Sequence, residues 1–412
     1  MVNLTSTKRV RYAVTRRAAV ASLAGGRNIP SLTGVRGVAA AWVFMTHFQL
    51  VMVAYLGVSS INAKTFMFNS LYNGFRGVDL FFVLSGFILM HVHRADFRQL
   101  SPVVMQDFYL VRFFRVYPLN TVVLIALLPI ALAMPDVVQW FRFDHGVPIP
   151  YQDNYFSAAG FVQSLLLAQA WTIVKLGIWN GPSWSLSAEV FGYAMFPFLA
   201  YVLMRRRSAI DCVGIAVCSL STLVLLLVVS GHARDNPTGS FGLIRMAFCF
   251  TAGMALSRCF QLLPPGTRLG TPITVGSILF IIASVVIPAA NVLAIFGFAG
   301  LIFGLAFRQG PVNWFMESRP VMFMGRISFS FYMIHYIPLK LSLWLLATRF
   351  NGAGLGFRAA FLVALAGSCV LLATATFYLF ELPFQRLGSQ ILQRSREPMV
   401  LADPIASAAA GD

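Results

Sequence analysis

Charge is what this sequence has least of. Asp, Glu, Lys and Arg make up 11% of its 412 residues, against about a quarter in soluble domains. Hydrophobic residues make up 58%, and the mean hydropathy is +0.75. Together these exclude an ordinary soluble domain. Cysteine is scarce as well. Cys212, Cys218, Cys249, Cys259 and Cys369 lie in or beside apolar runs, and none is spaced as a metal or redox pair. They read as small core residues, and no metal site is expected. There is no internal repeat of the kind that marks many transporters. No soluble basic segment is present to explain the net charge of +17 by nucleic-acid binding. The bilayer is the expected partner and nucleic acid is not. The positive excess is that of the cytosolic side of a membrane protein.

What is abundant is apolar length. Ten stretches approach or reach the length needed to span: 34–56, 77–93, 117–134, 186–204, 209–230, 241–261, 272–288, 290–307, 321–347 and 357–380. The expected fold is an all-α, polytopic bundle of about ten transmembrane helices. It divides into a basic cytosolic tail (1–30), one transmembrane domain (31–390) and a disordered cytosolic tail (391–412). Lys and Arg placement puts both termini in the cytosol, with the Arg205–Arg207 triplet inside and few cations, such as Lys64, Arg142 and Lys175, outside. The segment 155–171 is apolar, but a span there would invert every later segment. It is expected to be interfacial or re-entrant. "TRRAAVASLAGG", from Thr15 to Gly26, has too short an apolar part to be read as a cleaved export signal.

A charge at the centre of a span costs roughly 2.5–3.5 kcal/mol on insertion scales, so each one calls for a reason. Arg36 and His47 lie eleven positions apart in "RGVAAAWVFMTHF", close to three helical turns, so they share a face about 16 Å apart along the axis. His47 is then near the midplane, either as a neutral general base or as a histidine bonded to a neighbouring helix. In "RGVDLFFVLSGF", Asp79 either orients a histidine or pairs with Arg76 three residues back. Arg112 and Arg115, in "FYLVRFFRVYP", share a face and suit either phosphate groups or lipid headgroups. In "GPSWSLSAEVFGY", Ser185, Glu189 and Tyr193 recur every fourth residue as one polar stripe following a Gly-Pro break. In "ISFSFYMIH", Ser328, Tyr332 and His335 share a face. Glu381, beside Pro383, reads as structural.

In this order, and closed by "FELPF", these strings resemble the membrane-bound acyltransferase-3 family, bacterial enzymes that O-acylate surface sugars and related acceptors. The resemblance covers roughly 29–386. It implies an integral O-acyltransferase of the bacterial cytoplasmic membrane that takes an acyl group, acetyl first, from cytosolic acyl-CoA. The acceptor is a hydroxyl of a sugar or glycan; polysaccharide, lipid-linked oligosaccharide, peptidoglycan and macrolide all stay open. It implies no permanently bound cofactor, acyl-CoA being a co-substrate. By similarity, His47 is the essential first-helix histidine and Arg36 its partner arginine. Arg112 and Arg115 meet CoA phosphates, and Glu189 is the acidic residue of the Trp-Ser-Leu-Ser-x-Glu motif. Asp79 or Glu189 would hold the imidazole tautomer. Trp184, Ser185, Tyr193 and His335 are expected along the substrate path. Gly192 stands where an aromatic is commoner. The competing class is a transporter or flippase of lipid-linked sugar with an intramembrane His, Asp and Glu relay.

Overall fold

The computed structural model describes residues 29–56, 73–141, 143–144, 147–148, 156–171, 179–233, 238–287 and 290–394. Residues 1–28 and 395–412 of the two expected tails (1–30 and 391–412), the Thr15–Gly26 segment and the outer cations Lys64, Arg142 and Lys175 lie outside the described residues.

Among the described residues the chain is all-α apart from one two-residue ladder pairing β1 (Phe143–Asp144) with β2 (Val147–Pro148). The main helices are α1 (Pro30–Leu56), α2 (Gly77–Val92), α3 (Pro102–Ala133), α4 (Pro135–Phe141), α5 (Ala158–Leu165), α6 (Ser183–Met204), α7 (Ala209–Val229) and α8 (Ser240–Leu262). They continue as α9 (Gly270–Val286), α10 (Ala294–Ala306), α11 (Pro311–Met316), α12 (Arg319–Ile334), α13 (Tyr336–Thr348), α14 (Leu355–Thr376) and α15 (Leu382–Arg394). Among the described residues seven helices are long and apolar enough to cross a membrane, and eight if α12 and α13 count as one span bent by 53°. α9 and α10 are shorter apolar helices, so the expected ten is approximate. This is a multi-pass membrane protein.

Several starts follow local chemistry. Proline opens α1, α3 and α11, where its missing N–H would have had no partner. Ser208 caps α7 by accepting from the Asp211 N–H at 3.3 Å. α3 begins well before its apolar part, because hydropathy marks where lipid is met and not where the helix starts. At 32 residues it is about 48 Å long, longer than the hydrocarbon is thick.

Segment 156–171 is not a span. It holds the eight-residue α5 and then turns at Leu167, whose φ is +52°. It is sewn to α3 and α6: Asn120 donates to the Ser164 carbonyl at 2.9 Å, and the Ala170 N–H to Ser187 Oγ at 3.0 Å. The helix α15 carries order to Arg394, inside the segment expected to be tail.

α1 is central and packs against α2, α10, α12, α13 and α14. Close approach depends on glycine: a Cβ on Gly86 or Gly253 would collide with the backbone of the facing helix, at Phe250 and Val83 respectively. Large apolar side chains such as Ile210, Val363 and Leu371 stay exposed on outer faces, as lipid contact requires. One end gathers the start of α1 and the ends of α2, α8 and α10. There Ser31 donates to the Leu305 carbonyl (3.2 Å), Gln261 to Met90 (3.3 Å) and Arg258 to Arg206 (2.8 Å). We call this the basic end. At the opposite end Tyr55 donates to the Ser342 carbonyl at 2.6 Å.

Candidate active site

The polar stripe of α6 opens onto a cavity of about 140 Å³ in the half of the bundle toward the basic end. α1 contributes Arg36, α2 Ser85, α3 Arg112 and Arg115, α6 Ser185, Glu189 and Tyr193, and α12 Tyr332. The every-fourth-residue spacing on α6 thus lays three polar side chains on one wall. Ser85 and Tyr193 both donate to Oε1 of Glu189, at 3.0 and 2.7 Å. No described residue donates to Oε2.

The two arginines of α3 are not equivalent. Arg115 is taken: its Nη1 lies 2.6 Å from Oε1 of Glu381, which also accepts from Gln385 at 3.0 Å, while Ser330 donates to Oε2 at 2.6 Å. Glu381 closes a π-helical turn, Phe377–Glu381, between α14 and α15, and such turns redirect a side chain off the regular helical face. Arg112 instead stacks near the Phe108 and Tyr193 rings (5.6 and 5.9 Å), and its buried Nε has no hydrogen-bond partner. A buried unsatisfied guanidinium nitrogen beside a cavity is the chemistry of an anion site.

His47 does not line this cavity. It borders a smaller one with Tyr336 and Lys340, so Arg36 and His47 serve different compartments, as their spacing along α1 requires. The compartments adjoin through α12. Tyr332 lines the first and packs beside His335 with ring centroids 5.9 Å apart; His335 packs on His47 at 5.1 Å. The Tyr332 hydroxyl donates to the Pro182 carbonyl at 3.0 Å and meets Ser185 Oγ at 2.7 Å. His335 is 1% exposed and occupies the break between α12 and α13. Irregular backbone at membrane depth is tolerated where protein buries it, and it concentrates at functional sites.

The carboxylates expected to orient His47 lie elsewhere. The Nδ1 of His47 is 3.1 Å from the Val43 carbonyl and 3.3 Å from His335 Nε2. Asp79 sits in a buried ion network. Its Oδ1 accepts from Arg245 Nε at 2.8 Å, and its Oδ2 lies 3.4 Å from Arg76 Nη1. Arg76 also donates to the Ala233 carbonyl and Asn291. The pairing of Asp79 with Arg76, one of the two readings of its motif, is the one realised, with Arg245 added. Trp184 joins that network, its ring 5.4 Å from the Arg245 guanidinium, and does not line either cavity. The signal for Arg245 was its place inside an apolar stretch; its partner was not readable. Among the described residues no group of three or more His, Cys, Asp or Glu is placed to hold a metal ion.

The family model described as "Acyltransferase domain" matches residues 29–373. The chain belongs to the acyltransferase-3 family. Acyltransferase MdmB of Streptomyces mycarofaciens is 28% identical over 83% of this chain and 86% of that protein. O-acetyltransferase OatA of Staphylococcus aureus is 24% identical over 52% of this chain and 32% of that protein. A putative O-acetyltransferase of the same organism is 23% identical over 76% of this chain and 51% of its own length. The chain thus spans about a third to a half of these two staphylococcal relatives. No solved structure matches. An acyltransferase-3 protein needs an acyl donor and an acceptor.

Proposed function

We propose that the chain transfers an acyl group, acetyl first, from cytosolic acyl-CoA to a hydroxyl of a sugar or glycan at the bacterial cytoplasmic membrane, with both termini in the cytosol. The observation that supports this best is the unpaired Arg112 Nε at the cavity beside Glu189 and Tyr193, one aromatic wall away from the paired His47 and His335. Acyl-CoA enters from the basic end. Its phosphates meet Arg112, with Arg36 behind, and its arm runs along Glu189 toward Tyr332. Arg115 serves the phosphates only if Glu381 releases it.

In this reading His47 accepts the proton of the acceptor hydroxyl as that oxygen attacks the thioester carbon. The C–S bond breaks, and the thiolate leaves with the electron pair and takes the proton back from His47. The hydroxyls of Tyr332 and Ser185, once released from the Pro182 carbonyl, would steady the developing oxyanion. An acyl-imidazole on His47 is the stepwise version of the same chemistry.

The test uses the full chain in liposomes, with radiolabelled acetyl-CoA at the basic end and a panel of glycans on the other side. Label reaches the glycan with the native protein. A correctly inserted His47→Ala variant that transfers at the native rate sinks the mechanism. Acceptor movement without acyl transfer would make the chain a transporter.

A further inference from the structure

The hydrogen bonds around the two histidines have a direction. A backbone carbonyl only accepts, so a ring nitrogen bonded to one carries the proton. His335 Nδ1 lies 3.1 Å from the Phe331 carbonyl, which makes it the N–H of that ring. In the neutral ring, His335 Nε2 is then a lone pair. His47 Nδ1 lies 3.1 Å from the Val43 carbonyl and 3.3 Å from that lone pair, so it too is an N–H, shared between two acceptors. The reacting atom of His47 is by elimination Nε2, as a lone pair. Both carbonyls sit one turn before their histidines, on α1 and α12, so helix geometry itself sets the order.

We infer that His335 does for His47 what a carboxylate does in a Ser-His-Asp triad: it holds the Nδ1–H tautomer and shares the positive charge that arises on the ring during transfer. This rests on the proposed acyl transfer. His335 is a positioning residue, because it acts through His47 and gives up no atom. When the acceptor proton arrives at His47 Nε2, the Nδ1–H bond to His335 Nε2 shortens and charge spreads over two rings. The proton on Nε2 then leaves with the thiolate and both rings return to neutral. A neutral partner suits this location. Within the membrane an ionised carboxylate calls for its own buried cation, as Asp79 shows with Arg76 and Arg245. A second imidazole provides an acceptor without a resting charge. The break between α12 and α13 fits this role, because it leaves His335 at the corner where its ring reaches across to α1.

The experiment compares His335→Leu with His335→Gln in proteoliposomes, measuring kcat and the donor KM separately. Leu fills the space and offers no acceptor, whereas Gln keeps an oxygen for the Nδ1–H. The Leu variant should lose about 10²–10³-fold in kcat with the donor KM within about threefold. The Gln variant should recover at least about tenfold of that loss. Equal kcat in the two variants, or a Leu variant within about threefold of native, overturns the inference. Because a buried substitution can also prevent assembly, ¹⁵N spectroscopy of histidine-labelled native protein provides a second reading. His47 should appear protonated at Nδ1 and bare at Nε2, and the opposite tautomer overturns the assignment. A His47→Ala variant with native activity would instead overturn the underlying acyl-transfer mechanism.

Discussion

Asp79, expected either to orient His47 or to pair with Arg76, neutralises two buried guanidiniums, and the two roles lead to opposite expectations for Asp79→Asn. Arg76 and Arg245 are each 0% exposed and Asp79 1%. One carboxylate thus faces two cations, and the amide leaves both uncompensated. Removing one partner of a buried pair costs about 3–5 kcal/mol. Arg76 retains the Ala233 carbonyl at 2.6 Å and Asn291 at 3.2 Å, which cushions its share. Arg245 keeps the Trp184 face, worth about 2 kcal/mol at most as a desolvated cation–π contact. A loss of about 3 kcal/mol is therefore expected. Arg245→Met, which leaves Arg76 and Asp79 as a balanced pair, should cost about half as much. The assay is reversible unfolding in mixed detergent micelles, with acyl transfer measured on the fraction that stays folded. The surviving Asp79→Asn protein should turn over within about fivefold of native. Native stability combined with a kcat loss of about 100-fold or more would refute the structural assignment and return Asp79 to the chemistry.

The two arginines of α3 should separate. Arg112→Ala should raise the donor KM by about tenfold or more, the value of a charge-assisted phosphate contact, with little change in stability; binding of labelled acyl-CoA measures it. Arg115→Ala leaves Glu381 buried without its cation and should lower stability by about 2–4 kcal/mol, read by the same unfolding assay. Gly86→Ala forces α2 from α8, since its new methyl meets the Phe250 backbone, and should cost about 1–3 kcal/mol. Gly276→Ala, where an added Cβ meets nothing within 4 Å, is the control and should be neutral in that assay.

Much of the architecture was readable because lipid imposes length and the helix imposes period. The order of the spans and the shared face of Ser185, Glu189 and Tyr193 follow from those two rules, and the non-spanning 156–171 segment follows from the placement of Lys and Arg. The cavity's partnerships follow from neither. His47 and His335 are 288 positions apart, and Arg115 and Glu381 are 266 apart. No local period reports a contact across such a distance. Glu381 read as structural from its place beside Pro383 at the end of the last apolar stretch; the π turn that aims it at Arg115 leaves no period in the sequence. α3 begins at Pro102, ahead of its apolar stretch at 117–134, because hydropathy marks lipid contact only, while the shared face of Arg112 and Arg115 already reports helix there.

The contact of Ser185, Tyr332 and the Pro182 carbonyl has a consequence for the membrane as a whole. A bilayer that stores a proton gradient tolerates no continuous file of exchangeable hydrogens, and two compartments that meet at Tyr332 and His335 come close to making one. Between them stand two hydroxyls and one carbonyl, each within 3.1 Å of the other two. Whichever hydroxyl donates to the other, the second donates to the carbonyl, so both hydrogens are spent inside the triangle. A proton handed along these hydroxyls ends on the Pro182 carbonyl, which has no hydrogen of its own to pass on. As arranged, the triangle closes the relay on an acceptor, and the proposed thioester path past Tyr332 would have to open it.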